Sequence, residues 1–419
     1  MGQGASMQKQ IDQDIANERN LYNAQMAIVR QLDSRTRVPH LLIELRSLGY
    51  IEICGKDLGG IYGKLDTFFR TRFGASDVTL VMRPYAEEKC GCCAQKQYSM
   101  MRAEDFDAVC DKNYVTGAIQ PSGRVAQNGI FKIRGTSGEN NMGKLTMTVV
   151  NFMTNECGWG LQLCDGGNLG RNGQMRESQI KFRAPHPLNL MAPHLMIELR
   201  QVGYIEVNGE NTGGIYQKLA SFIQSKWGGK QIASDADYCN LKFSTSAFKQ
   251  RGSKGENNMG KCTMMLVDFM TKPEQCAWTL LTCTGGNYGR RGDKREQQMV
   301  FRNDEFVHYG ENHLMVEFRD AGYVELNGLQ DAPDAASALE HFFKQQGCTD
   351  YAKGFFESSE MYCDKKYKTP PGFYYTAGTT NNLGKRTLEL AFFLGKQGWM
   401  LSLCNGGNVS DTSGRYVKR

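Results

Sequence analysis

The sequence predicts an α+β protein of three tandem homologous modules, each a small, mostly antiparallel sheet with a packed helix, preceded by an N-terminal helix. One segment occurs three times, as HLLIELRSLGYIEI from His40, HLMIELRQVGYIEV from His194 and HLMVEFRDAGYVEL from His313. A second block follows each copy, as NNMGKLTMTVVNFM, NNMGKCTMMLVDFM and NNLGKRTLELAFFL. A third block closes each copy at Gly-Gly-Asn. Repetition at this spacing indicates whole repeated domains.

The repeats divide the 419 residues into an N-terminal acylation signal and helix, 1–37, and three modules, 38–184, 185–303 and 304–419. A module is about 115 residues long, and the first also carries a cysteine-rich insertion at about 75–125. A module of this size can bury its own core, unlike a short solenoid repeat. We therefore expect three beads in a row rather than a continuous superhelix.

Apolar spacing gives the elements of each module. The HLLIEL segment is ambiguous between helix and strand because its apolar run shows no period, whereas the alternation in YIEI predicts a strand. Apolar residues at i, i+4, i+7 and i+8 then predict one amphipathic helix in each module: Ile61, Leu65, Phe68 and Phe69; Ile215, Leu219, Phe222 and Ile223; Ala335, Leu339, Phe342 and Phe343.

The second and third blocks are both predicted to be strands. Leu388, Leu390 and Phe392 alternate with more polar or smaller residues after an Asn-Asn turn. The third block alternates from a tryptophan, which is typical of a core anchor. The cysteine that follows is expected on the opposite face of that strand. These tryptophans and cysteines are Trp159, Trp278 and Trp399, and Cys164, Cys283 and Cys404.

Composition excludes several classes of protein. The chain is 40% hydrophobic and 22% charged, as in globular proteins. Its 14 cysteines are sparse in so long a chain, and with no secretory signal they indicate reduced thiols. A net charge of +6 spread over the whole length does not favour nucleic acid. No apolar run is long enough for a membrane-spanning helix.

The sequence predicts no enzyme, no cofactor and no metal. It contains no serine elbow, dinucleotide fingerprint or kinase signature. One recurrent cysteine per module cannot assemble a zinc site. The recurrent glutamate and arginine, as in Glu44 and Arg46, are two residues apart and are interpreted as surface or inter-strand pairs of little energetic value.

The most specific functional signal is Met-Gly-Gln-Gly-Ala-Ser at the N-terminus. It matches the N-myristoylation motif, with Gly2 as the acceptor and Ser6 at the required position. One myristoyl chain binds a membrane only marginally, so a second signal is expected. Cys90, Cys92 and Cys93 could be palmitoylated, although unmodified loop thiols and a soft-metal site remain alternatives.

The Gly-Gly-Asn turns offer a further candidate site. Glycines would let backbone N–H groups approach an anion, and arginines follow two of the turns. The candidate anion-binding residues are Arg171, Arg176, Arg290, Arg291 and Arg295. An ordinary flexible hairpin is the alternative, because neither turn has the strand-turn-helix context of a nucleotide-binding loop.

Together these features predict a non-enzymatic scaffold of a eukaryotic cell. Myristoylation would hold it at the cytoplasmic face of a membrane, and its repeated modules would bind membrane-associated or cytoskeletal proteins. The alternatives are a cytoskeletal or axonemal lattice component without a lipid anchor, and a lipid- or anion-binding module. No nucleic-acid partner is expected.

Overall fold

The structure, a computed structural model, describes most of the chain from Pro39 onward. The described residues are 39–47, 49–78, 110–117, 129–134, 139–169, 175–184, 192–234, 237–251, 256–288, 294–303, 312–319, 322–351, 362–376, 380–406 and 411–418. They form three six-stranded antiparallel sheets and six α-helices, so the α+β class expected from the sequence is confirmed. We call each six-stranded sheet with its two helices a unit.

The first unit contains eight strands and two helices. Its strands are β1 His40–Arg46, β2 Tyr50–Gly55, β3 Ser76–Asp77, β4 Lys112–Val115, β5 Ile133–Arg134, β6 Glu139–Asn140, β7 Gly160–Leu169 and β8 Met175–Arg183. Its helices are α1 Ile61–Phe73 and α2 Met142–Asn151, and a π-helical turn, Phe152–Glu156, extends α2. The sheet order is β3-β4-β2-β1-β8-β7, and β5 pairs with β6 as a separate ribbon.

The second unit has the same strand order, β11-β12-β10-β9-β16-β15, with the ribbon β13-β14. Its strands are β9 His194–Arg200, β10 Tyr204–Gly209, β11 Lys230–Ile232, β12 Leu241–Ser244, β13 Gln250–Arg251, β14 Glu256–Asn257, β15 Thr279–Tyr288 and β16 Lys294–Arg302. Its helices are α3 Ile215–Trp227 and α4 Met259–Thr271, and a short 3₁₀ turn, Thr212–Gly214, precedes α3.

The third unit repeats the order again, β19-β20-β18-β17-β24-β23, with the ribbon β21-β22. Its strands are β17 His313–Arg319, β18 Tyr323–Asn327, β19 Thr349–Asp350, β20 Lys365–Lys368, β21 Tyr375–Thr376, β22 Thr380–Asn381, β23 Trp399–Gly406 and β24 Asp411–Lys418. Its helices are α5 Pro333–Gln345 and α6 Leu383–Lys396, with a 3₁₀ turn at Leu329–Asp331.

Each sheet has an inner face that packs on the two helices of its own unit. In β1 the inner residues are Leu41, Ile43 and Leu45, all fully buried. The predicted amphipathic helices are confirmed as α1, α3 and α5, because their apolar positions are buried against these inner faces. The ambiguous HLLIEL segment is a strand in all three units. No described helix has the length and apolar character needed to cross a bilayer.

The prediction of a strand in the second block is wrong, because the block forms the helices α2, α4 and α6. In α6, Thr387, Leu390 and Leu394 face the core at i, i+3 and i+7. Leu388 and Phe392 lie between them on another side of the helix. A helix with apolar residues on two sides gives an alternating sequence, and that alternation imitates a strand.

The third block is a strand as predicted, but the expectation that its tryptophan and cysteine lie on opposite faces is wrong in the first two units, and the side chain of Cys404 lies outside the described part of the chain. Trp159 and Cys164 are both buried in the core of the first unit, and Trp278 and Cys283 in that of the second. The pairing of β7 with β8 shifts register between Leu161 and Leu163. This bulge adds one residue and brings the cysteine back to the tryptophan's face.

Each unit has its own buried core, and neighbouring units are also in contact. The buried cluster of the first unit includes Met196 and Val300, which belong to the second sheet. Helix α2 packs on its own strand β8 and also on β9 and β10 of the next sheet. Helix α4 likewise packs on β15 and β16 of its own sheet and on β17 and β18 of the third. Sheets and helices therefore alternate in layers through the described chain.

Candidate functional site

The surface that joins consecutive units is the most distinctive site in the described part of the chain. The outer face of the second sheet meets the first turn of helix α2. A Cβ placed on Gly143 would lie 2.3 Å from Glu198 Oε2 and 3.0 Å from Asn208 Nδ2. A Cβ there would force the Glu198 carboxylate or the helix to shift, so glycine allows the carboxylate to approach the helix backbone closely. A carboxylate at a helix N-terminus is electrostatically favourable.

The same contact joins the second unit to the third. A Cβ on Gly260, in the first turn of α4, would lie 2.3 Å from Glu317 Oε2 and 2.7 Å from Asn327 Nδ2. Glu317 pairs across the sheet with Glu325, as Glu198 pairs with Glu206. We call each of these two helix-on-sheet contacts a seam. The two seams use the same residue types at corresponding positions.

One half of each seam is apolar. Met147 of α2 is 2% exposed and belongs to the cluster that contains Met196 of the second sheet. Met264 of α4 is also 2% exposed, and its Cε lies 3.0 Å from the place that a Cβ would take on Gly328 of the third sheet. Methionine adapts its shape easily, which suits a helix that must fit two surfaces at once.

The other half is a buried ion network. In the second sheet, Arg200 Nε lies 2.8 Å from Glu206 Oε2, and Arg200 Nη1 lies 3.0 Å from Glu296 Oε1. Lys242 Nζ approaches Glu206 Oε1 at 3.5 Å. Gln298 Nε2 donates a hydrogen bond to Glu198 Oε1 at 3.2 Å. Buried charges of this kind persist only when their partners surround them.

The third sheet carries an equivalent network. Arg319 Nη2 lies 3.1 Å from Glu325 Oε2 and 3.6 Å from Glu317 Oε1, and Lys366 Nζ lies 3.6 Å from Glu325 Oε1. The recurrent Glu and Arg of the second and third units are therefore not surface pairs, but Arg200 and Arg319 do form the inter-strand pairs that were the alternative. They alternate along a strand like surface residues, and the helix of the preceding unit buries them.

Polar pairs also bridge the units near the seams. Lys261 Nζ of α4 lies 3.3 Å from Asp364 Oδ1 of the third unit, and Lys132 forms an ion pair with Asp237 of the second. Asp165 of β7 accepts a hydrogen bond from the Thr284 side chain of β15. Burial raises the pKa of Asp165, while this hydrogen bond opposes the shift.

The first sheet carries the same group of two glutamates and one arginine on its outer face. Among the described residues, no helix precedes this sheet to cover that face. Arg46 Nη2 lies 2.8 Å from both Glu44 Oε2 and Glu52 Oε2. The Arg46 side chain is 32% exposed, whereas that of Arg200 is 1% exposed. Partial burial raises the pKa of Glu52, and the neighbouring Arg46 opposes that shift. We call the outer face of β1 and β2 the head face.

Helix α6 of the third unit corresponds to the seam helices α2 and α4. Within the described residues, no further sheet packs on its outer side. Leu388 is 60% exposed and Phe392 is 72% exposed, the largest values among the exposed large apolar side chains of the described residues. A Cβ on Gly384 would meet no atom within 4 Å. Gly384 occupies the position in α6 that Gly143 and Gly260 occupy in α2 and α4. We call this side of α6 the tail face.

The residues singled out for lipid or anion binding are mostly outside the described part of the chain. Gly2, the N-terminal helix, Cys90, Cys92, Cys93, Arg171, Arg290 and Arg291 all lie there. Arg176 is on β8 and Arg295 on β16, where their backbones pair with Asn168 and Asn287. These two arginines are placed on different sheets, and the Gly-Gly-Asn segments continue strands β7 and β15 into hairpins.

The described cysteines are mostly buried thiols. Burial raises the pKa of Cys110 and Cys239 to about 12, which leaves each protonated and a poor nucleophile at neutral pH. Cys110 lies just before β4 and Cys239 just before β12, and the charges that act on the two thiols include the outer-face residues Glu52 and Glu206. Within the described residues, no group of three or more His, Cys, Asp or Glu side chains could hold a metal ion.

Comparison with known proteins adds no relationship: no family model matches the chain, and neither does any curated protein or solved structure. The evidence on function therefore comes from the residues themselves. Sequence reasoning identified the repeats but missed the seams. The signal that could have found them is Gly143, Gly260 and Gly384, each placed in the same block between a turn and an apolar run.

Proposed function

We propose that this chain is a non-enzymatic scaffold protein of a eukaryotic cell, built from three homologous modules that bind protein partners beside a membrane. The proposal rests on one observation, which is the position of the buried charged groups between the units. Arg200 and Arg319 lie in ion networks between stacked units, and not around a cleft open to a substrate. Such charges fix register and orientation, which a scaffold requires.

The three-module interpretation is supported by the shared strand order and by the shared seam residues. Glu44, Glu198 and Glu317 each oppose a second glutamate on the neighbouring strand of their sheet. Gly143 and Gly260 each face one of these carboxylates in the next unit. Triplication of one module explains why the same contact recurs along the chain.

Membrane attachment is proposed through N-myristoylation of Gly2, with Cys90, Cys92 and Cys93 as candidate sites for a second acyl chain. The test is metabolic labelling with an alkyne analogue of myristate, followed by cell fractionation, for the wild type and for Gly2→Ala. Gly4→Ala is the matched control, because it changes a nearby glycine that does not supply the acylated amine. We expect Gly2→Ala alone to lose the label and leave the membrane fraction. An unlabelled wild-type protein would refute the lipid anchor.

The second candidate is a cytoskeletal or axonemal lattice component without lipid, which the stacking of three like units favours. A lattice protein should stay with the insoluble fraction after detergent extraction, and Gly2→Ala should not change this. A lipid-anchored scaffold should be released by detergent. The two outcomes are exclusive for the wild-type protein.

A further inference from the structure

The two ends of the described stack are complementary halves of the contact that joins its units. The head face supplies Glu44, Arg46 and Glu52 in the arrangement that the second and third sheets bury. The tail face supplies a seam helix whose outer side has no described sheet against it. We propose that the tail face of one molecule docks on the head face of a second molecule of the same chain, so that the chain assembles head to tail.

The glycine at the start of α6, Gly384, fits a contact like the two seams. In both seams a glycine at this position faces a glutamate carboxylate so closely that a Cβ would force the carboxylate or the helix to move. Gly384 stands in open space, where alanine would fit and would favour the helix. The contact proposed here gives Gly384 a carboxylate to face, that of Glu44 in the second molecule.

The charges on the two faces are also complementary. Lys261 of α4 pairs with Asp364 across the second seam. The residue after Gly384 is Lys385, whose side chain is 71% exposed. The residue on the head face that matches Asp364 is Asp111, since it accepts a hydrogen bond from Gly55 N as Asp364 does from Gly328 N. Docking would set Lys385 against Asp111.

The tail face also exposes apolar side chains that the seams bury. Leu388 takes the place of Met147 and Met264, which are buried in the seams, and Phe392 lies one turn further along α6. On the head face, half-buried Leu42 takes the place of Met196 and Met315, both buried. Two exposed apolar side chains on one side of a helix are typical of an interaction surface.

The contact is heterologous, because it joins different surfaces of the two molecules. Such a contact gives a closed ring if the rotation closes, and an open filament if it does not. This inference extends the scaffold proposal by naming one protein partner. Its test uses purified protein and does not depend on Gly2, so the two proposals can fail separately.

The test is sedimentation velocity of the full-length chain over a micromolar concentration range. We expect the wild type to form concentration-dependent oligomers. Gly384→Ala should weaken association at least about tenfold, while the melting temperature of the monomer stays the same or rises. Gly395→Ala is the matched control, since it also changes an α6 glycine with no atom near its Cβ position. It should leave association unchanged.

A mixing experiment tests the direction of the contact. Lys385→Glu blocks the tail at a side chain too exposed to affect folding, and Leu42→Glu blocks the head. Each variant alone should be monomeric, and an equal mixture should give dimers and nothing larger. Melting curves show that both variants are folded. A monomeric wild type would overturn the proposal, and so would a Gly384→Ala variant that associates like the wild type. A mixture that stays monomeric while both variants are folded would overturn it as well.

Discussion

The outer faces of the first and second sheets carry nearly the same polar group in different surroundings. Arg46 and Arg200 each bind two or more glutamates, but the first side chain is 32% exposed and the second 1%. The difference comes from helix α2, which covers the second sheet. One sequence pattern thus forms a partly exposed ion group in one place and a fully buried network in another, and the covering helix decides which.

The largest expected effect contrasts the two arginines. Arg200→Met removes the cation that Glu206 and Glu296 share in a buried network and leaves Glu206 with Lys242 at 3.5 Å, so we expect a loss of about 3–5 kcal/mol in the free energy of unfolding. Arg46→Met removes a half-buried group whose side chain is 32% exposed, and it should cost less, about 1 kcal/mol. Chemical denaturation of both variants measures this difference. Equal losses would mean that the seam does not desolvate Arg200.

Truncation of the apolar half of the seam comes next. Met264→Ala removes a side chain that is 2% exposed between two units, and we expect a loss of about 2–4 kcal/mol. The matched variant Leu388→Ala, at the corresponding position of α6, should change the stability of the monomer by less than about 0.5 kcal/mol. Thermal unfolding at low protein concentration, where association does not contribute, compares the two. A similar cost for Leu388→Ala would show that an element of its own chain covers the tail face.

Substitution of the seam glycine Gly143 should lower the free energy of unfolding by a smaller amount. Gly143→Ala places a methyl group 2.3 Å from the present position of Glu198 Oε2, so the helix or the carboxylate must move, at a cost of about 1–3 kcal/mol. Arg200 and Asn208 lie beside that carboxylate and limit its movement. Urea unfolding gives the cost. If Gly143→Ala stabilises the protein like an ordinary Gly-to-Ala change in a helix, the close approach at the seam is wrong.

The smallest effect is a pH dependence at the strand contact between the first two units. Burial raises the pKa of Asp165 above its ordinary value of 3.8, so the folded state binds this proton more tightly than the unfolded state. The stability linked to this proton is fully present below the unfolded pKa and is lost as the pH rises through the folded pKa. Asp165→Asn removes that loss.

Asp165→Asn should therefore gain stability relative to the wild type as the pH rises from acid to neutral. The third unit already carries Asn405 at the corresponding place on β23, which makes the substitution conservative. Urea midpoints at several pH values test it. A stability difference that does not change with pH would contradict the role of burial.

The sequence predicts the elements of one unit better than the contacts between units. Residues such as Leu65 and Phe69 face a single core, and their spacing gives the helix α1 directly. Leu388 and Leu390 lie on different sides of α6, and the spacing of two overlapping apolar sides resembles a strand. Period alone cannot separate the two cases.

The seam itself follows from tertiary structure and not from local pattern. Glu198 and Arg200 alternate with apolar residues, so the strand looks half-exposed in sequence. Only the position of α2 shows that both faces of the second sheet are covered. The bulge between Leu161 and Leu163 is equally invisible, because nothing in local alternation marks the added residue that realigns Cys164 with Trp159.

The shared core also has a consequence for the order of events on the ribosome. The first unit completes its buried cluster with Met196 and Val300, so helix α2 is synthesised well before the second of its two surfaces exists. Until strand β16 has emerged, Met147 of α2 lacks part of the surface that buries it in the folded chain. Chaperone binding should be greatest in this interval, and it should recur when α4 waits for the third sheet.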